Sequence, residues 1–181
     1  MDGTVREIGD RYVLRFEREF AHSVGKVWSM LTESDRIGRW LALAESGDIE
    51  LRVGGRVHLA GEGIESTVTE VEPQRVLAYG WRTVDWDGGV IRFELEPTTA
   101  GTRLIFTHDM SRLTEDQARG FRERIELPDG WEQLSSTLAG WHTIFDRLAR
   151  ALEDDPVEYS IKAWRELNEH YKRTVSASRR T

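Results

Sequence analysis

Residues 129–152 read DGWEQLSSTLAGWHTIFDRLARAL. The large apolar side chains are Trp131, Leu134, Leu138, Trp141, Phe145, Leu148 and Leu152, at alternating steps of three and four residues. That spacing holds them on one face of an α-helix. Asp129 stands where an N-cap accepts from first-turn N–H groups, and Glu132 follows three residues on, as in a capping box. At about 1.5 Å per residue such a helix is ~35 Å long. Two Trp and a Phe on one stripe need a broad apolar surface. Most of the chain before them reads as strands, so the expected partner is a curved antiparallel sheet.

Upstream, residues 11–20 (RYVLRFEREF) alternate, with Tyr12, Leu14, Phe16, Arg18 and Phe20 on one side. This is the period of a half-buried strand, Arg18 being the exception on the apolar side. Ser23 is placed to cap a short helix sharing Val24, Val27, Trp28 and Leu31, and a second short helix covers Asp35 to Trp40. Strands are then expected at 49–53, 57–59, 64–72, 77–81, 91–95 and 104–108, with turns at Gly54-Gly55, Pro73, Asp87-Gly88-Gly89 and Thr98–Gly101. With the first, that makes seven strands joined as a meander. A further helix is expected from Glu115 to Arg124, opened by a Thr114/Gln117 capping box.

Beyond the long helix, Asp155-Pro156-Val157-Glu158 reads as a new cap with Pro at the first position. A separate helix from about Pro156 to Thr174 carries Ile161, Trp164, Leu167 and Tyr171 on one stripe. The domain expected is residues 11–154, with an accessory helix at 155–175 and loose termini at 1–10 and 176–181. The accessory stripe is too apolar for solvent. Trp164, Leu167 and Tyr171 are expected to pack on the core or on a second copy, and a homodimer is the preferred reading.

The composition narrows function. With 181 residues, 39% apolar and 31% charged, the chain suits one globular domain. A net charge of −7 argues against general affinity for nucleic acid, which needs clustered Lys and Arg. With no cysteine, thiolate chemistry and Cys-based zinc sites are excluded. No signal-peptide pattern and no apolar run of membrane-spanning length is present, and the expected compartment is the cytoplasm. No phosphate-binding loop, dinucleotide fingerprint, HExxH or GxSxG signature is found, so no cofactor or metal is expected.

Several stretches resemble one family. They are VGKVWSMLTESDRIGRWL at 24–41, VGGRVHL at 53–59, TVTEVEPQRVLAYGW at 67–81, FELEPTTAGTRLIFTH at 93–108 and GWEQLSSTLAGW at 130–141. In this order they resemble the helix-grip fold of the START and birch-pollen-allergen superfamily, in the branch named after the activator of the heat-shock-protein-90 ATPase. The resemblance spans about residues 11–152 and implies an α+β fold, a sheet wrapped around the long helix. Val24 stands where that branch commonly has Pro, Gly80 replaces a polar residue before the strand-end Trp, and the helix at 156–174 lies past the usual domain end.

The same resemblance places Trp40, Trp81 and Trp141 near a cavity between sheet and helix. Leu59, Phe93, Phe106 and Leu138 complete the expected lining. His108 shares the inward face of its strand with Leu104 and Phe106, where a neutral imidazole either orients a ligand, acts as a general base or makes structural hydrogen bonds. Arg92 and His58 alternate outward. His142 falls at the flank of the helix stripe and is expected to be exposed, and Arg18 is expected to snorkel to water. Glu62, Glu65 and Asp109 are possible partners for a histidine. The leading expectation is a protein that binds an apolar small molecule. The alternatives are a chaperone-interacting module, as the family name implies, and a cofactor-free cyclase or hydrolase using His108.

Overall fold

The computed structural model describes residues 2–41, 46–61, 63–82, 87–116, 118–119 and 132–178. Among the described residues eight antiparallel strands form one sheet: β1 (Thr4–Ile8), β2 (Arg11–Phe20), β3 (Ser46–Ile49), β4 (Arg56–Ala60), β5 (Ile64–Glu72), β6 (Val76–Arg82), β7 (Asp87–Thr98) and β8 (Gly101–Ser111). Their order is β1-β2-β8-β7-β6-β5-β4-β3. Four helices among the described residues accompany them: α1 (Val24–Thr32), α2 (Ser34–Ile37), α3 (Gln133–Leu152) and α4 (Ile161–Ser178). The α+β helix-grip class expected from sequence holds, with one strand more.

The added strand is β1, in a segment expected to be loose. Its residues are mostly exposed on both sides, so it carries no alternation to read, yet it pairs with β2 from Thr4↔Arg15 to Ile8↔Arg11. Its approach is fixed by Gly3. A Cβ there would lie 2.2 Å from the Phe16 ring, so only glycine lets the backbone rest on that ring. Strand 49–53 is also corrected. β3 ends at Ile49, and residues 50–55 make a turn closed by Arg52 N–H on Glu50 C=O (2.7 Å) and Gly55 N–H on Arg52 C=O (2.8 Å). Leu51 and Val53 consequently face solvent.

Asp87-Gly88-Gly89 is not the hairpin turn but the start of β7. Gly89 has φ +86°, and a Cβ on it would sit 2.0 Å from the Asp109 carbonyl oxygen. The β6–β7 register shifts between Gly80 and Arg82, opposite these glycines, which is the signature of a β-bulge.

Ser23 caps α1 as expected, its Oγ accepting from Lys26 N–H at 3.3 Å. The helix expected from Glu115 is helical at 115, 116, 118 and 119, and its remainder, like the Asp129 cap, lies outside the described residues. α3 buries Leu134, Leu138, Trp141, Phe145, Leu148 and Leu152. α4 begins at Ile161 rather than Pro156. Ser160 is the effective cap, its Oγ accepting from Ala163 N–H at 3.2 Å, while the Val157 carbonyl is held by Arg147 Nε at 2.9 Å. Trp164 and Tyr171 are buried within the single chain and Leu167 packs against the core, so these three, which suggested a homodimer, pack within the chain, while Ile161 at the start of the stripe stays exposed.

Candidate functional site

The strand ends at Trp81, Gly88, His108 and Ser111 lie together, because Val90 pairs with Asp109 and Gly80 with Val90. The first half of α3 sits over them. Gln133 ties it down, its Nε2 donating to Ser111 C=O at 2.7 Å and its Oε1 accepting from Leu113 N–H at 2.8 Å.

His108 is fully buried. Its Nε2 lies 2.6 Å from Gly88 C=O and its Nδ1 is 3.0 Å from the indole nitrogen of Trp141. A carbonyl only accepts and an indole N–H only donates. The ring is therefore neutral, protonated on Nε2, donating to Gly88 and accepting from Trp141. Burial pushes its pKa down to about 4, with the Gly88 bond and Asp109 opposing. This chain of bonds links α3 to the β7 bulge. For His108 to act as a base, Trp141 N–H would first have to release Nδ1.

Rings fill the space around this chain. Trp141 lies 4.3 Å from Phe106, 5.1 Å from Trp81 and 5.9 Å from Phe145, between centroids. Phe106 contacts Phe93 at 5.1 Å, and Phe93 meets Trp40 edge-on at 6.3 Å. Offset and edge-to-face pairs of this kind add to the burial of their area. Trp81 is the partly buried member, near the end of β6.

A model of one family matches residues 21–153, with the description Activator of Hsp90 ATPase homolog 1-like protein. This chain belongs to that family. Solved structures agree on fold. The conserved protein EF2215 from Enterococcus faecalis, of unknown function, is 23% identical over 97% of this chain and 91% of its own, with a TM-score of 0.69. CalU16 from Micromonospora echinospora is 22% identical over 94% and 93%, with a TM-score of 0.65. DynU16, a putative protein in the dynemicin biosynthetic locus, is 22% identical over 81% and 49%, with a TM-score of 0.58. The comparison with curated proteins finds no match. The family match stops before α4, but EF2215 and CalU16 are covered too widely to leave that helix out.

In this Hsp90-activator-like domain the expected lining is brought together unevenly. Trp81, Phe93, Phe106, His108 and Trp141 form one connected ring cluster. Trp40 joins it through Phe93, with its N–H bonded to Met30 C=O at 2.8 Å. Leu59 and Leu138 are buried. Arg18 turns inward rather than to water. Its guanidinium lies over Phe16 and Phe145, 5.4 and 5.6 Å from their centroids, and burial lowers its pKa. His142, expected to be exposed, is largely buried instead. Tyr171 explains this: its hydroxyl accepts from Gly3 N–H and is hydrogen-bonded to His142 Nδ1, both at 2.8 Å. Burial lowers the His142 pKa and raises that of Tyr171 to about 12.

On the outer face, Arg92 pairs with Glu70 at 2.8 Å and with Glu94, His58 with Glu65, and Asp109 with Arg11 at 2.8 Å. Glu62 lies outside the described residues. Arg147 was not foreseen. It is buried on α3, and its Nη1 donates to Trp40 C=O at 2.8 Å. Its position one step off the apolar stripe is the only sequence signal for it. No helix among the described residues is long and apolar enough to cross a membrane.

Proposed function

We propose that this domain binds an apolar, aromatic small molecule between α3 and the inner face of the sheet, entering at the Trp81 end. The observation that carries this reading is the Trp81–Trp141 pair. Trp141 is 3% exposed and fixed through His108, whereas Trp81 rests against it at 5.1 Å and is only partly buried. A partly exposed indole on a rigid aromatic floor suits a planar apolar guest, and most small-molecule sites are concave, apolar and sparsely polar. The description of DynU16 as belonging to a biosynthetic locus is in keeping with small-molecule handling on this fold.

The test is displacement of an anilinonaphthalene dye by a panel of aromatic compounds, read alongside native mass spectrometry. Trp81→Ala is expected to weaken binding at least tenfold while the fold is retained. A panel with no binder counts against the reading. The family description favours a second reading, contact with a heat-shock ATPase through the ion-paired outer face. Failure of the purified domain to alter Hsp90 ATPase turnover would remove it.

A further inference from the structure

The two ends of the chain meet at one histidine. Asp2 and Gly3 lead into β1, Tyr171 lies in the second half of α4, and His142 on α3 faces both. The Tyr171 hydroxyl bridges Gly3 N–H and His142 Nδ1. Asp2 Oδ2 lies 2.6 Å from His170 Nε2, and its Oδ1 lies 4.0 Å from His142 Nδ1. The His142 ring stands edge-on to Phe16, 6.3 Å between centroids. These contacts tie β1 to α4 across the edge of β2.

The tie is polar and local. β1 is mostly exposed on both sides, and beyond its ladder with β2 it is fastened by Glu7 to Arg112 at 2.6 Å. The first half of α4 is pinned separately. Trp164 Nε1 donates to Ser136 C=O and Ser136 Oγ donates to Asn168 Oδ1, both at 3.3 Å. The start of β1 and the second half of α4 thus form a unit with few apolar contacts of its own, the kind that opens while the rest of the domain stays folded.

His142 sits where a charge on it is resisted. Burial lowers its pKa first. Arg18 on β2 and the α-amino group lower it further, whereas Asp146 on α3, 3.8 Å from Nε2, and Asp2 raise it. A charged ring would carry donors on both nitrogens and a second cation beside Arg18. Tyr171 stays neutral, its pKa being raised by burial to about 12. Asp2 stays ionised over the histidine range, held below the ordinary carboxylate value first by its bond to His170. A charged His170 would grip Asp2 more firmly and so oppose release. That pair is 43% and 51% exposed, however, and exposed ion pairs are worth little.

We propose that His142 is an acid-sensitive catch: when its ring takes up a proton, the start of β1 and the Tyr171 half of α4 part from α3 and β2 while the core stays closed. The sign follows from linkage. The ring is harder to protonate with the catch shut than with it open, so opening takes up a proton. Closure is complete above about pH 6.5 and weakens as pH falls below it. Opening frees the edge of β2 and uncovers Phe16, whose ring lies under Gly3. The catch needs no ligand and is independent of the reading above.

The test is amide exchange of the full chain at about pH 7.5 and about pH 5.5, corrected for intrinsic rates. In the parent, exchange at residues 3–7 and 169–175 is expected to quicken at least about threefold at the lower pH, while residues 161–167 and the centres of β7 and β8 do not change. In His142→Asn the acid response is expected to vanish. Arg18→Met, which removes the neighbouring charge and keeps an apolar stem, should shrink it. Equal exchange at both pH values in the parent, a response that spreads evenly through β7 and β8, or a response that survives His142→Asn would each overturn the proposal. If His142→Asn does not fold, Arg18→Met decides: an undiminished response overturns it.

Discussion

The indole N–H of Trp141 donates to Nδ1 of His108 at 3.0 Å, a bond that exists only while the imidazole is neutral. Protonation would place two donors face to face in a buried site. The folded pKa of about 4 lies below the ordinary value of 6.5, so on acidification the unfolded chain takes up this proton first. The contribution is fully present above about pH 6.5 and is lost as pH falls toward 4, by roughly 3 kcal/mol. His142, with its pKa also lowered by burial, acts in the same direction. Urea midpoints at about pH 7 and about pH 4.5 should differ more in the parent than in His108→Asn, which cannot take up the proton. Equal differences would contradict the account.

Gly89→Ala should be among the most damaging single-methyl changes. The added Cβ meets backbone of β8, and φ is +86°. A loss of at least about 2 kcal/mol is expected, from steric strain together with the left-handed backbone. Near-parental thermal stability would mean that the bulge is not held as described.

Tyr171→Phe removes one hydroxyl and strands two partners, Gly3 N–H and His142 Nδ1. We expect a cost of roughly 1–3 kcal/mol. Amide exchange should also quicken in β1 and α4 together. Deleting residues 156–181 should go further, uncovering α3 and sharply reducing solubility. Unchanged solubility and melting would sink this assignment of α4 to the core.

Arg147→Ala should cost about 3 kcal/mol, because the side chain spans from Trp40 C=O to Val157 C=O and little solvent reaches it. Arg147→Lys should restore only part of this, since an ammonium cannot reproduce the guanidinium fork. Full rescue by Lys would show that only the charge matters.

Much of this architecture is legible in the residues. The three-four stripe of α3, the alternation of β2, β4, β7 and β8, and the Ser23 cap are local patterns, and each survives in the fold, whereas β6 is buried on both faces over Val76–Tyr79. What escapes is what depends on distant partners. β1 has no apolar face, and its pairing is set by Gly3 against Phe16 and Tyr171. Leu51 and Val53 alternate like a strand but are claimed by a turn that the glycines after them impose. His142 looked like a flank residue because Tyr171 lies 29 positions later in the chain. At the site, the inward direction of His108 follows from alternation, whereas its two bonds do not. One acceptor comes from a bulge that reads in sequence as a hairpin turn.

The strand order has a consequence for synthesis. β2 lies between β1 and β8, with Phe20 paired to Thr102 and Arg11 to Ser111. The opening hairpin leaves the ribosome with its oily side bare and must wait for the eighth strand to be made, several seconds later at roughly 5–20 residues per second. Until then Tyr12, Leu14 and Phe16 are exposed on a nascent chain. A nascent-chain-binding factor would be most needed in that interval, and slowing translation across residues 21–100 should lower the yield of folded protein more than slowing it elsewhere.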